Sequence, residues 1–103
     1  MKMSEEFKSG ILRISLSGEL DHHAAKEVML TAAGIVEESV PRGCVLDFKE
    51  VTFMDSSGIA LILNINKKLN NIGGRLKVEN VAAQPMKVIR ASGIERIINI
   101  KEL

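Results

Sequence analysis

Apolar residues at Gly58, Leu61, Ile62, Ile65 and Leu69 fall at i, i+3, i+4, i+7 and i+11, the spacing of one helix face. Shortly before them stands Cys44-Val45-Leu46-Asp47-Phe48, a run with β-branched and aromatic bias that ends at Lys49-Glu50. That run predicts a short strand over 44–48. Phe53-Met54-Asp55-Ser56-Ser57-Gly58 joins the two and is therefore a strand-to-helix turn. Asp55 is placed to cap the helix, its carboxylate accepting the backbone N–H groups of Ser57 and Gly58. Two hydroxyls then stand where free helical N–H groups and the positive end of the helix dipole converge.

The same reading extends along the chain. Alternation at Leu12, Ile14 and Leu16 predicts a strand over 11–17, paired with a weaker one before the Ser9-Gly10 turn and broken at Ser17-Gly18. Asp21 is the expected N-cap of a helix with a core stripe of Ala25, Val28, Ala32, Ile35 and Val36, and Leu30 falls opposite that stripe. Pro41-Arg42-Gly43 ends this helix, and Asn70 to Gly74 ends the next. A half-buried strand at 75–78, a short helix opened by Gln84-Pro85 and closed at Ser92-Gly93, and a last strand at 97–100 complete the order. Strands alternating with helices predict an open α/β sheet with parallel pairs and right-handed crossovers. Ligands and partners of such sheets meet the loops beyond the carboxyl ends of the strands. That rim carries both Asp21-His22-His23 and Asp55-Ser56-Ser57.

Composition removes several function classes. The 103 residues suit a single domain, 1–103, and the net charge is +1 with scattered basic residues, so no nucleic-acid footprint is expected. No run approaches the ~20 apolar residues of a membrane span, and the first residues lack the apolar core of a signal peptide. One cysteine excludes an internal disulfide and fits a cytoplasmic protein. With three phenylalanines, no tyrosine and no tryptophan, an interface built on aromatic anchors is not expected.

Each polar motif has a plain structural explanation beside its functional one. Ser56 and Ser57 fit ordinary helix-start chemistry, yet one cap suffices and Asp55 supplies it. From Ser57 a row runs through Ala60, Asn64, Lys67 and Lys68, small and polar residues suited to docking a partner. Ser56, next to the capping Asp55, is expected to turn toward the backbone, leaving Ser57 at the head of the exposed row. Adjacent histidines at a helix start point about a hundred degrees apart, and no second His or Cys cluster completes a metal site. Neither metal nor cofactor is expected. A hydrolase using Ser57 with His22 or His23 lacks a Gly-x-Ser-x-Gly elbow and a visible oxyanion hole.

Together, Phe53 to Gly58 after a Val45-Leu46-Asp47 strand, Gly18-Glu19-Leu20-Asp21-His22-His23 upstream and Asn71-Ile72-Gly73-Gly74 downstream closely resemble the anti-sigma factor antagonists, small bacterial STAS domains. The likeness runs from about Ile11 to Ile100, and the Gly18 to His23 segment is similar to the sporulation branch. The resemblance implies a mixed sheet of four or five strands flanked by helices. It implies a binding protein and not an enzyme, whose partner is an anti-sigma factor that is also a serine kinase. Ser57 would be the phosphoacceptor, restored by a serine phosphatase, with Asp55 its neighbouring acid and Asp21 in a second contact segment. Partner contact is expected over Asp21, His22, Asp55, Ser56, Ser57, Gly58, Ala60 and Asn64. Ile59-Ala60 stands where family members commonly have Leu-Gly, which keeps a small residue at position 60. A non-switching STAS module of another assembly is the alternative within the family.

Overall fold

Ser9 and Gly10, both at positive φ (55° and 82°), turn the chain back on itself between strands Lys2–Lys8 (β1) and Ile11–Leu20 (β2). The register pairs Lys8 with Ile11, so the hairpin loop is two residues long, the length whose favoured turns need positive φ. The computed structural model describes residues 1–103. After β2 the elements are His22–Ser39 (α1), Gly43–Met54 (β3), Ser56–Asn71 (α2), Arg75–Val81 (β4), Ala83–Ser92 (α3), a 3₁₀ turn at Ile94–Arg96 and Asn99–Glu102 (β5).

The sheet order is β1-β2-β3-β4-β5, antiparallel at β1 and parallel from β2 onward. Each parallel strand is added on the same side of the last, so crossovers of one hand carry all three helices over one face. Burial agrees: Leu12, Ile14, Leu16, Cys44, Leu46, Phe48, Leu76 and Val78 are buried, whereas Arg13, Ser15, Val45, Asp47, Lys77 and Glu79 on the other face are not. The result is a mixed five-stranded α/β sheet with helices on one side and an open, polar side opposite.

Cys44 sits in the buried layer, 2% exposed, and burial pushes its thiol up to about 12. On the open face Arg13 donates to Asp47 (2.8 Å) and to Glu79 (3.4 Å), while Asn80 and the Lys49 N–H both donate to Asp47 (3.0 Å each). Desolvation pushes the Asp47 carboxyl up. The hydrogen bonds from Asn80, Lys49 and Arg13, with the Arg13 charge, outweigh it and hold the group below its ordinary range. A carboxyl held low on folding contributes stability above its unfolded value, and that contribution is lost as pH falls through the folded one. Asp47→Asn is therefore expected to flatten the acid side of a melting-temperature profile below about pH 4. An acid slope identical to wild type would assign it to other carboxylates.

Two strands outrun their expected ends. β3 continues from 48 to Met54, and β2 passes through Ser17-Gly18 to Leu20. The register pairs Ser15 with Asp47 but Ser17 with Glu50, then Gly18 with Val51 but Glu19 with Phe53, so β3 carries two extra residues. Each is a bulge that advances the buried face by one position. Phe48, Val51 and Met54 are accordingly buried at intervals of three, and strict alternation stops at 48 although the strand does not. Gly18, at φ +117°, supplies a backbone conformation that side chains disfavour beside these bulges.

Smaller differences follow from packing. β4 extends to Val81 and not 78, and the last strand is 99–102 and not 97–100 because Ile97 (70% exposed) belongs to the turn after Arg96. On α1, Ile35 is only half-buried, Ala24 joins the core, and Leu30 faces solvent.

Candidate functional site

Leu20 and Met54 are partners at the carboxyl ends of two parallel strands, and each is followed by an aspartate that starts a helix. Asp21 and Asp55 are both extended (ψ −175° and −171°), and each side chain accepts a backbone N–H of the following turn. Asp21 takes Ala24 N–H at 2.9 Å and Asp55 takes Ser57 N–H at 2.8 Å. The Asp55 N–H reaches the Leu20 carbonyl at 3.4 Å. Two in-register strands ending in the same cap therefore set the N-termini of α1 and α2 side by side. Further along, Lys68 on α2 pairs with Glu37 on α1 at 3.3 Å.

Where the first turns meet, His22 Nδ1 lies 3.3 Å from Ser57 Oγ. The two groups share one proton: the Ser57 hydroxyl donates to a neutral Nδ1, or an Nδ1–H donates to the hydroxyl oxygen. His23 points away and pairs with Glu27 at 3.2 Å. Beneath the His22–Ser57 contact runs a recess between the helices of about 190 Å³. Ala25, Met29, Ala60 and Leu61 line its apolar part, and His22, Lys26, Ser57 and Asn64 its polar part. Asn64 donates to the Ala60 carbonyl at 2.9 Å, which holds its amide against the helix.

Three expectations need correction. Asp55 caps Ser57 with its side chain but Gly58 with its own carbonyl (3.0 Å), because the first-turn geometry brings Gly58 N–H to the backbone oxygen. Ser56 is exposed and makes no side-chain hydrogen bond, whereas Ser57 is half-buried at the mouth of the recess. The neighbouring aspartate does not draw Ser56 inward, since its oxygen is already engaged by Ser57 N–H. Gly58 is buried and presents no contact surface. A side chain there would overlap Met54 and come within 3.2 Å of Leu20 Cδ2, so glycine lets α2 start directly on the strand ends. The structure brings Asp21, His22, Asp55, Ser56, Ser57, Ala60 and Asn64 to the rim or along the recess.

Gln84 was not among the expected site residues. β4 pairs with β3 only as far as Asp47–Glu79, leaving the end of β3 without a neighbour on that side. There the Gln84 amide accepts from Met54 N–H (2.8 Å) and donates to the Met54 carbonyl (3.0 Å). One side chain replaces a strand and fixes the residue before Asp55. In the sequence Gln84 reads only as a residue of a helix's first turn. Phe53, 39% exposed, adds an aromatic ring beside the rim.

The STAS domain model matches residues 2–102, and the chain belongs to that family. Among proteins it resembles, the anti-sigma F factor antagonist of Paenibacillus polymyxa is 33% identical over 100 residues, spanning 97% of this chain and 86% of that protein. The Bacillus cell fate determinant SpoIIAA in its phosphorylated form is a solved structure with TM-score 0.75 and 27% identity, covering 96% of this chain and 90% of that one. The anti-sigma factor antagonist SpoIIAA in its unphosphorylated form superposes with TM-score 0.76 at 23% identity, over 99% and 89% of the respective chains.

Proposed function

We propose that this chain is an anti-sigma factor antagonist acting in the cytoplasm. Its unphosphorylated form binds an anti-sigma factor that is also a serine kinase, and a sigma factor is thereby freed. The kinase moves the γ-phosphoryl group of ATP to Ser57 Oγ, with loss of the hydroxyl proton and release of ADP, and the complex separates. A serine phosphatase returns the hydroxyl, consuming water and releasing inorganic phosphate. The partner meets the rim of Asp21, His22, Asp55, Ser56 and Ser57 and the helix face continuing through Ala60 and Asn64.

One observation carries this reading: Ser57 stands at the junction of two helix N-termini, with its hydroxyl engaged by His22 and free of any role in capping. A phosphate there lies where helix dipoles favour negative charge, so modification leaves the fold intact while changing the surface a partner meets. The relatives' names, including an anti-sigma-B factor antagonist of Bacillus subtilis at 26% identity, support the same role. Incubated with ATP and its cognate anti-sigma factor kinase, the protein is expected to gain one phosphate, mapped by mass spectrometry to Ser57. Phosphate chiefly on Ser56, or none, would overturn the assignment.

The His22–Ser57 pair favours a second reading, a serine hydrolase. Against it, Asp21 and Asp55 spend their side chains on Ala24 and Ser57 N–H groups, so neither orients His22. The N–H groups of Ser57 and Gly58 are already bonded and offer no oxyanion hole. Ester turnover abolished by Ser57→Ala would favour the enzyme.

A further inference from the structure

We propose that a phosphate on Ser57 is held by the protein itself, in a clamp formed by His22 and Lys26 of α1. The proposal rests on Ser57 being the phosphoacceptor. His22 already touches Ser57 Oγ, at 3.3 Å. Lys26, four residues later and thus one helical turn along the same face, lines the same recess and makes no ion pair. The neighbouring face of α1 is occupied differently, with His23 paired to Glu27. The side of α1 that looks across at Ser57 therefore presents an imidazole and an ammonium and no carboxylate.

A phosphoryl group brings about −1.5 to −2 of charge and three strong acceptor oxygens, and it extends beyond the hydroxyl it replaces. The carboxylates on the rim, Asp21 and Asp55, repel it there. Both are fixed in place by backbone N–H groups and cannot turn away. Turned toward the recess, the phosphate meets the His22 imidazole and the Lys26 ammonium, both exposed along a recess that Ala25, Met29 and Leu61 also line. Both can donate charge-assisted hydrogen bonds to its oxygens. The phosphorylated form then fills the recess and ties α1 to α2. The switch acts by withdrawing the serine and plugging the groove, as well as by repulsion. It also makes the phosphorylated state slower to reverse, since a phosphatase must first extract the group.

The test installs phosphoserine at position 57 of the full chain by genetic encoding, so no kinase is needed. Phosphorus NMR then follows the titration of the phosphate in wild type, His22→Gln and Lys26→Gln, with Lys67→Gln, further along α2, as the control for general charge loss. The titratable groups around the recess and its rim are Asp21, His22, Lys26 and Asp55, while His23 and Glu27 pair on the neighbouring face, and only one side chain changes in each variant. Cationic partners favour the dianion and lower its midpoint. Losing His22 or Lys26 is expected to raise it by about half a pH unit, and losing Lys67 by much less. Phosphorylation is expected to raise the melting temperature of wild type and of Lys26→Arg, and not of His22→Gln or Lys26→Gln. Equal midpoints and equal thermal responses across wild type and all variants would overturn the clamp. Because the phosphate is supplied directly, a kinase that ignored Ser57 would sink the functional reading and leave this result standing, and the reverse also holds.

Discussion

Ser57→Asp is expected to abolish binding to the anti-sigma factor while leaving the protein folded. The substitution places a carboxylate in the first turn of α2, half-buried, where the dipole and the nearby N–H groups accept negative charge. The loss on the binding side is large, because an unpaired charge buried in an interface costs about 3 kcal/mol or more. That corresponds to at least about a hundredfold in dissociation constant. Titration calorimetry against the purified anti-sigma factor, with a thermal melt of the free variant, reads both quantities. Binding and melting temperature falling together would make Ser57 a structural residue, and undiminished binding would remove it from the interface.

Gly58→Val should have the largest effect on stability. Its side chain would overlap Met54, which is fully buried and whose backbone N–H and carbonyl are both held by Gln84. The overlapped atoms are Met54 Cγ and Sδ, and they can move aside only by repacking a fully buried side chain against the core around Leu20. Overpacking of this kind costs about 3 kcal/mol, and valine, with its poor helix propensity, returns nothing in exchange. For a domain of this size a melting temperature lower by roughly 15 °C is expected. A variant melting within a few degrees of wild type would show that α2 can slide off the strand ends, and the tight seat inferred for Gly58 would be wrong.

The site was legible in the sequence wherever a local rule operated. Asp21 and Asp55 announce themselves as caps because the residue before a helix has a narrow chemistry, and both cap as expected. The order of strands and helices follows from periodicity, and the adjacency of the two caps follows from parallel pairing. Periodicity failed where the backbone broke it. The two bulges in β3 changed the spacing of Phe48, Val51 and Met54 from two to three, hiding the half of the strand that delivers the motif. Gln84 was invisible for a different reason. Its role is a tertiary hydrogen bond 30 residues away in sequence, and no pattern around it marks the backbone it serves. The ordering of Ser56 and Ser57 was misjudged because exposure in a first turn depends on the neighbouring helix, and α1 covers Ser57 alone.

The lone cysteine gives this chain a built-in clock. Alkylating reagents attack the thiolate, and burial pushes the Cys44 thiol up, so very little of it is ionised at pH 8. Cys44 is also sealed between β2 and β4 beneath the helices. Labelling in the native state must therefore proceed through molecules that have transiently opened, at a rate set by how often the core comes apart. Followed by mass spectrometry without denaturant, that rate ranks the free protein, its phosphorylated form and a partner-bound form by their resistance to opening, with no added probe.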